Sequence, residues 1–109
     1  MRRETIDFVG TSGAVLRGDI HLPDDRAKGA VLMAHCFTCS KDLHTQTRIS
    51  GALVEAGYAT MRFDFTGLGS SDGDFAATTV SSNVGDLTRA AMELVQRGYG
   101  PCGLFGHSL

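Results

Sequence analysis

The residues best suited to covalent chemistry stand at the end of the chain, in Gly106-His107-Ser108-Leu109, behind the short apolar run Cys102-Gly103-Leu104-Phe105. A strand running into Gly-x-Ser-x supplies the first positions of a Gly-x-Ser-x-Gly elbow, a strained turn that lifts a serine hydroxyl above the sheet edge. Gly106 suits such a turn because a side chain there would obstruct it. The hydroxyl becomes a nucleophile only with a base to take its proton and N–H donors for the oxyanion. The competing reading of Ser108 is a turn serine that caps a helix. A second reactive set is His35-Cys36-Phe37-Thr38-Cys39-Ser40, a Cys-x-x-Cys with His35 and His44 nearby. A thiolate is favoured where such a motif opens a helix, which suggests redox chemistry. A zinc site commonly takes two ligand pairs well separated in sequence, and here the second pair is missing. A third set is Asp64, Asp72 and Asp74, carboxylates suited to a cation or to acid–base work. Gly67-Leu68-Gly69 beside them lacks the third glycine of a nucleotide-binding loop.

These groups need elements to position them. Thr5-Ile6-Asp7-Phe8-Val9 alternates apolar and polar side chains, as does Val15 to Leu22, and Gly10-Thr11-Ser12-Gly13 between them reads as a turn, so the pair is expected as a hairpin. Ala30 to Ala34 is continuously apolar, the mark of a strand buried on both faces. The period then becomes helical. Ile49, Leu53 and Ala56 recur along one face, Ser40 or Asp42 stands ready to cap the start, and Gly57 marks the end. Tyr58 to Phe63 reads as a strand and Asp64 to Asp74 as a glycine-rich loop. A second helix is expected from about Val80 through Val84, Leu87, Ala91, Leu94 and Val95, closed by Gly98, and Cys102 to Phe105 as the last strand. The order β-β-β-α-β-α-β gives an α/β fold: a mainly parallel sheet with an N-terminal antiparallel hairpin and helices on both faces. Reactive loops then gather at the carboxyl ends of the strands, where 35–40, 64–74 and 106–109 fall.

Bulk properties narrow the classes. The chain has 109 residues, a 42% hydrophobic and 20% charged composition and a net charge of −2, which fits one small globular domain and gives nucleic acid no basic footprint. No apolar stretch reaches the roughly 18 residues of a membrane helix. The basic N-terminus has no apolar segment behind it, so it does not read as a secretory signal. Three cysteines do not make a disulfide framework, and a reducing cytoplasm is the expected compartment.

Taken together and in order, Ala34-His35-Cys36-Phe37-Thr38-Cys39-Ser40-Lys41-Asp42, Arg62-Phe63-Asp64-Phe65-Thr66-Gly67-Leu68-Gly69-Ser70-Ser71-Asp72-Gly73, Ser82-Asn83-Val84-Gly85-Asp86-Leu87 and Gly106-His107-Ser108-Leu109 resemble the N-terminal part of an α/β-hydrolase. The likeness covers essentially the whole chain and is similar to a bacterial subgroup in which the hydrolase domain precedes an OsmC-like domain. The resemblance implies residues 1–109 as an incomplete portion of a single α/β-hydrolase domain. It implies a Ser–His–Asp serine hydrolase of the esterase or acyl-hydrolase type, with Ser108 as nucleophile and the acid and histidine beyond Leu109. The oxyanion donors it implies are the backbone N–H groups of Leu109 and Phe37. Cys36 stands where the family usually has glycine, so Cys36 and Phe37 both remain in play for the second donor. His35, Cys36, Asp64, Gly106 and His107 are implied as loop-shaping residues. His107 is adjacent to Ser108 and its side chain diverges on such a turn, so neither it nor His35 is the expected base. The substrate implied is a small ester or acyl compound, with no cofactor, no metal, no nucleic acid and no membrane partner. The alternative from another class is a Cys36–Cys39 thiol-redox or metal-binding module. The isolated chain is expected to be inactive, and poorly soluble or only partly folded.

Overall fold

The structure, a computed structural model, describes residues 2–34 and 44–106. Strands β1 (Arg2–Val9) and β2 (Val15–Leu22) form the hairpin, paired from Arg2↔Leu22 to Val9↔Val15. There follow β3 (Ala30–Ala34), α1 (His44–Glu55), β4 (Ala59–Phe63), a single 3-10 turn (Phe75–Ala77), α2 (Val80–Gln96) and β5 (Cys102–Gly106). The sheet order is β1-β2-β4-β3-β5. Pairing of β3 with β4 and with β5 is parallel, while β2 is antiparallel to both β1 and β4, so β2 alone runs against the rest. The expected element order and the mixed, mainly parallel sheet with helices on both faces are what the chain forms.

The first strand begins at Arg2, ahead of the expected Thr5, because the hairpin ladder continues to Leu22. Thr79 caps α2 in a reciprocal arrangement with Ser82, which satisfies backbone donors at both positions. α1 is followed by Gly57, which takes a φ of +100 that other residues adopt only with strain, and the chain turns directly into β4. The caps expected from Ser40 or Asp42 lie outside the described residues.

The two faces of the sheet differ in chemistry. Strand alternation sends Ile6 and Phe8, Leu16, Ile20 and Leu22, Ala59, Met61 and Phe63, and Ala30, Leu32 and Ala34 into one core with Ala90 and Leu94 of α2. Burial of each large side chain there contributes about 1.5–3 kcal/mol. Phe63 meets Phe8 edge-on and Phe65 at a tilt, with ring centroids 5.8 and 4.9 Å apart. On the opposite face, under α1, stand Asp19, Thr60 and Arg62, all buried and polar.

That polarity rotates α1 away from the expected register. Ile49 and Leu53 are half-buried and Ala56 is exposed, whereas Gln46, Ser50 and Val54 are the buried positions. Ser50 shares a hydrogen bond with Thr60, and Arg62 donates to Thr47 over 2.8 Å. α2 departs in a similar way. Its buried residues are Asn83, Asp86, Ala90 and Leu94, while Val84 and Val95 are more than half exposed. In both helices a polar partner on the opposing surface decides which side faces inward, because a buried donor without an acceptor costs more than an exposed valine.

Candidate active site

The parallel strands set where the candidate loops begin. β3, β4 and β5 point the same way, so the segments that follow Ala34, Phe63 and Gly106 all leave from one end of the sheet. The register pairs Ala34 with Gly106 on adjacent strands. Neighbouring strands lie about 4.8 Å apart, so the chain departs from these two residues side by side. Gly106 ends β5 and is exposed. His35, Cys36, Phe37, Cys39, His107, Ser108 and Leu109 lie outside the described residues, as does the Cys-x-x-Cys alternative.

Asp64 is fully buried where the chain leaves β4. Its Oδ2 accepts the Ser70 N–H at 2.9 Å, and its own N–H donates to the Arg17 carbonyl at 3.0 Å. Ser71 closes the loop on β2: its hydroxyl donates to the Asp64 carbonyl and its Oγ accepts the Arg17 N–H at 2.9 Å. Gly67 has a φ of +79, and a Cβ there would stand 2.1 Å from the backbone nitrogen of Phe75. Asp74 caps the 3-10 turn by accepting the Ala76 N–H, and the backbone of Asp72 pairs with Val15 and Gly67. The carboxylates of Asp64 and Asp74 therefore serve the loop's backbone. Among the described residues no cluster of His, Cys, Asp or Glu is disposed to hold a metal. Cys102 is a free, half-buried thiol that donates to the Gly103 carbonyl.

Asp86 of α2 was not singled out by sequence reasoning as a functional side chain, yet it joins the loop to the hairpin. It is 1% exposed. Oδ1 accepts the Thr11 N–H at 3.1 Å, and Oδ2 accepts the Thr66 N–H at 3.2 Å and the Thr66 hydroxyl at 2.7 Å. Its neighbour Gly85 allows the close approach: a Cβ there would stand 2.0 Å from Thr11 Oγ1. A glycine inside an otherwise regular helix pattern is the signal that marks this contact.

On the α1 side, Arg3 donates to Asp19 at 3.1 Å and Thr5 does so at 3.0 Å. His21 sits beside them, its pKa held below the ordinary 6.5 by burial and then by the Arg62 charge, with Asp19 opposing. Two broad open clefts lie at the other end of the sheet, around Pro23–Lys28 with Gly57 and with Pro101. They adjoin the amino ends of the parallel strands, so the position of the candidate site rests on the carboxyl-end loops.

No protein-family profile matches the chain, and no curated protein matches it. Solved structures do. The esterase domain of a Rhodothermus marinus protein is 40% identical, with 98% of this chain covered, 40% of that one, and a TM-score of 0.73. Est1E from Butyrivibrio proteoclasticus, in a structure with ferulic acid bound, is 21% identical, with coverages of 94% and 42% and a TM-score of 0.85. An α/β serine hydrolase homologue from Coxiella burnetii is 23% identical, with coverages of 97% and 52% and a TM-score of 0.82. The chain thus spans between 40% and 52% of the lengths of these structures. Its fold is that of the N-terminal part of an α/β-hydrolase.

Proposed function

We propose that this chain is the N-terminal portion of a single serine hydrolase domain of the esterase or acyl-hydrolase type, with Ser108 as nucleophile. The observation that carries the reading is the Ala34↔Gly106 pairing, which starts the segments of the two candidate oxyanion donors from adjacent points. The 40% identity to an esterase domain supports the same chemistry.

In this mechanism Ser108 Oγ attacks the acyl carbon of a small ester while a histidine beyond residue 109, oriented by an acid also beyond it, takes the hydroxyl proton. The negative charge that develops on the carbonyl oxygen is met by the backbone N–H groups of Leu109 and of Phe37 or Cys36. The carbon–oxygen bond to the alcohol breaks, the histidine returns the proton to the departing alkoxide, and an acyl-Ser108 ester remains. Water, deprotonated by the same histidine, then cleaves it to the carboxylic acid. Asp64 and Asp86 act at a distance, by fixing the loop beside the strand ends. The residues 1–109 alone turn over no ester, because without base and acid Ser108 keeps the reactivity of an ordinary alcohol. The cytoplasm is the proposed compartment, and an OsmC-like domain is the proposed C-terminal companion.

The test is hydrolysis of short-chain p-nitrophenyl esters by the full-length protein that carries this chain. Ser108→Ala is expected to lower kcat by roughly 10³–10⁶-fold. Turnover retained within tenfold in that variant contradicts the reading.

A further inference from the structure

Strand β1 is an edge of the sheet, and among the described residues no strand pairs with its outer side. Its residues pair with β2 from Arg2 to Val9 without a bulge, and the run Arg-Arg-Glu-Thr-Ile-Asp-Phe-Val contains no proline. Bulges, prolines and short length are what commonly close an edge to further pairing, so this one is open. The hairpin fixes which residues offer their backbone there. The Gly10 N–H donates to the Ala14 carbonyl at 2.9 Å, one step beyond the Val9↔Val15 pair. Antiparallel ladders alternate hydrogen-bonded and non-hydrogen-bonded pairs. Arg2, Glu4, Ile6 and Phe8 therefore bond β2, and Arg3, Thr5, Asp7 and Val9 turn their N–H and C=O groups outward. Strand β2 has the matching phase: the carbonyls of Val15 and Arg17, opposite Val9 and Asp7, accept from Asp72 and Asp64 on its other side.

The side chains of Arg3, Thr5, Asp7 and Val9 share one face of the sheet and are exposed. Arg17 donates to Asp7 at 3.0 Å and Arg3 to Asp19 at 3.1 Å, yet the side chains of Asp7 and Arg3 stay 50% and 60% exposed. The order of charge along this edge selects what it fits. Turned about a two-fold axis at Thr5, a second β1 sets its Asp7 opposite Arg3 and its Arg3 opposite Asp7, with Thr5 facing Thr5. All of these residues bond outward, so each pair can exchange both backbone hydrogen bonds. Arg17, Asp7, then Arg3 and Asp19 of the second copy alternate in sign across the joined sheets. A shift of the pairing by one residue turns the side chains to the wrong face. A shift by two sets Glu4 against Glu4, or leaves Arg3 opposite Val9 and Asp7 opposite Thr5.

We propose that β1 is a homodimer interface, through which two copies of the protein join their sheets edge to edge in the register that sets Arg3 opposite Asp7. A two-fold contact uses the same surface on both copies and so requires that surface to be self-complementary. The order Arg3, Thr5, Asp7 meets that requirement. The interface is independent of the hydrolase reading, since it uses no residue of the candidate site.

The experiment is sedimentation velocity of the full-length protein from about 1 to 200 µM, because mass action makes a dimer depend on concentration. The parent is expected to sediment as a dimer at the upper end of that range. Arg3→Asp and Asp7→Arg each set like charges opposite one another in the homodimer, so each is expected to raise Kd at least about tenfold. Mixed in equal amounts, the two variants face each other with opposite charges, and a heterodimer with Kd within about threefold of the parent is expected. Asp7→Pro removes an outward N–H and no bond of the hairpin ladder, so it is expected to be monomeric. It decides the question if a charge variant fails to fold, which the thermal midpoint of each protein shows. A parent that is monomeric throughout the range overturns the proposal. So does an undiminished dimer in Asp7→Pro, which puts the contact on another face. A mixture of the two charge variants that stays monomeric overturns it as well, since the register then has no part in the loss.

Discussion

Replacement of Asp86 by alanine is the most informative structural perturbation, because one side chain serves three donors on two separate segments. Hydrogen bonds to a charged acceptor each contribute about 1.5–3 kcal/mol. The three are unequal. Thr11 lies on an exposed turn, where water takes over its N–H at little cost. Thr66 is 4% exposed, so both its N–H and its hydroxyl lose their acceptor away from solvent. The hydroxyl can rotate to another partner, and the N–H cannot. The net loss expected for Asp86→Ala is therefore about 3–5 kcal/mol, a large part of the 5–15 kcal/mol that stabilises a typical domain. Asp86→Asn keeps one acceptor oxygen and sets an NH₂ against the other donors, so about 2 kcal/mol is expected. Equilibrium urea denaturation of the full-length protein, followed by far-ultraviolet circular dichroism, measures both. Hydrogen exchange adds a local signature, with protection lost first around Thr11 and Thr66. A loss below 1 kcal/mol for Asp86→Ala, or exchange unchanged at both segments, would refute the view of Asp86 as the joint between loop and hairpin.

Three further outcomes follow from the same geometry. Gly67→Ala combines a positive φ with a Cβ 2.1 Å from the Phe75 backbone nitrogen, so a destabilisation of at least about 3 kcal/mol is expected, read from the same urea curves. His21 has a folded pKa below the ordinary 6.5, so the unfolded chain binds the extra proton first. Its contribution is fully present above about pH 6.5 and is lost as pH falls from there toward the folded value. His21→Gln should flatten stability between pH 7.5 and about 5.5, and an unchanged slope there removes His21 as the cause. Finally, β5 pairs with β3 on one side, and Leu104 on it is 64% exposed, as are Val95 and Val84 of α2 to a lesser degree. An apolar strand edge invites association, so the isolated 109-residue chain should elute as oligomers, and Leu104→Lys should shift it toward monomer. Monomeric elution of the unmodified chain contradicts this.

Much of the fold was legible because local signals and tertiary demands agree along the sheet. Continuous apolar residues marked β3, alternation marked the hairpin, and Gly57 and Gly98 closed the helices. The helix faces were not legible in the same way. Apolar spacing pointed to Ile49, Leu53 and Ala56 and to Val84 and Val95, while the molecule buries Gln46, Ser50, Asn83 and Asp86. Periodicity counts apolar residues and has no knowledge of a donor such as the Thr66 N–H waiting across the interface. The common end at which β3, β4 and β5 finish was legible, since the order of elements points to parallel strands. The link of the 64–74 loop to the hairpin through Asp86 was not, because Thr11 and Asp86 are far apart in sequence and joined only by the fold.

An activated Ser108 reacts with electrophiles that leave ordinary serines untouched, so active-site labelling is the decisive measurement. The full-length protein, treated with a fluorophosphonate and digested, is examined by mass spectrometry for the modified peptide. One adduct is expected, on Ser108, formed in step with loss of p-nitrophenyl ester hydrolysis and absent from Ser108→Ala. Hydrolysis that continues after the reagent has reacted elsewhere, or an adduct on another residue that accompanies its loss, rules out Ser108 as the nucleophile.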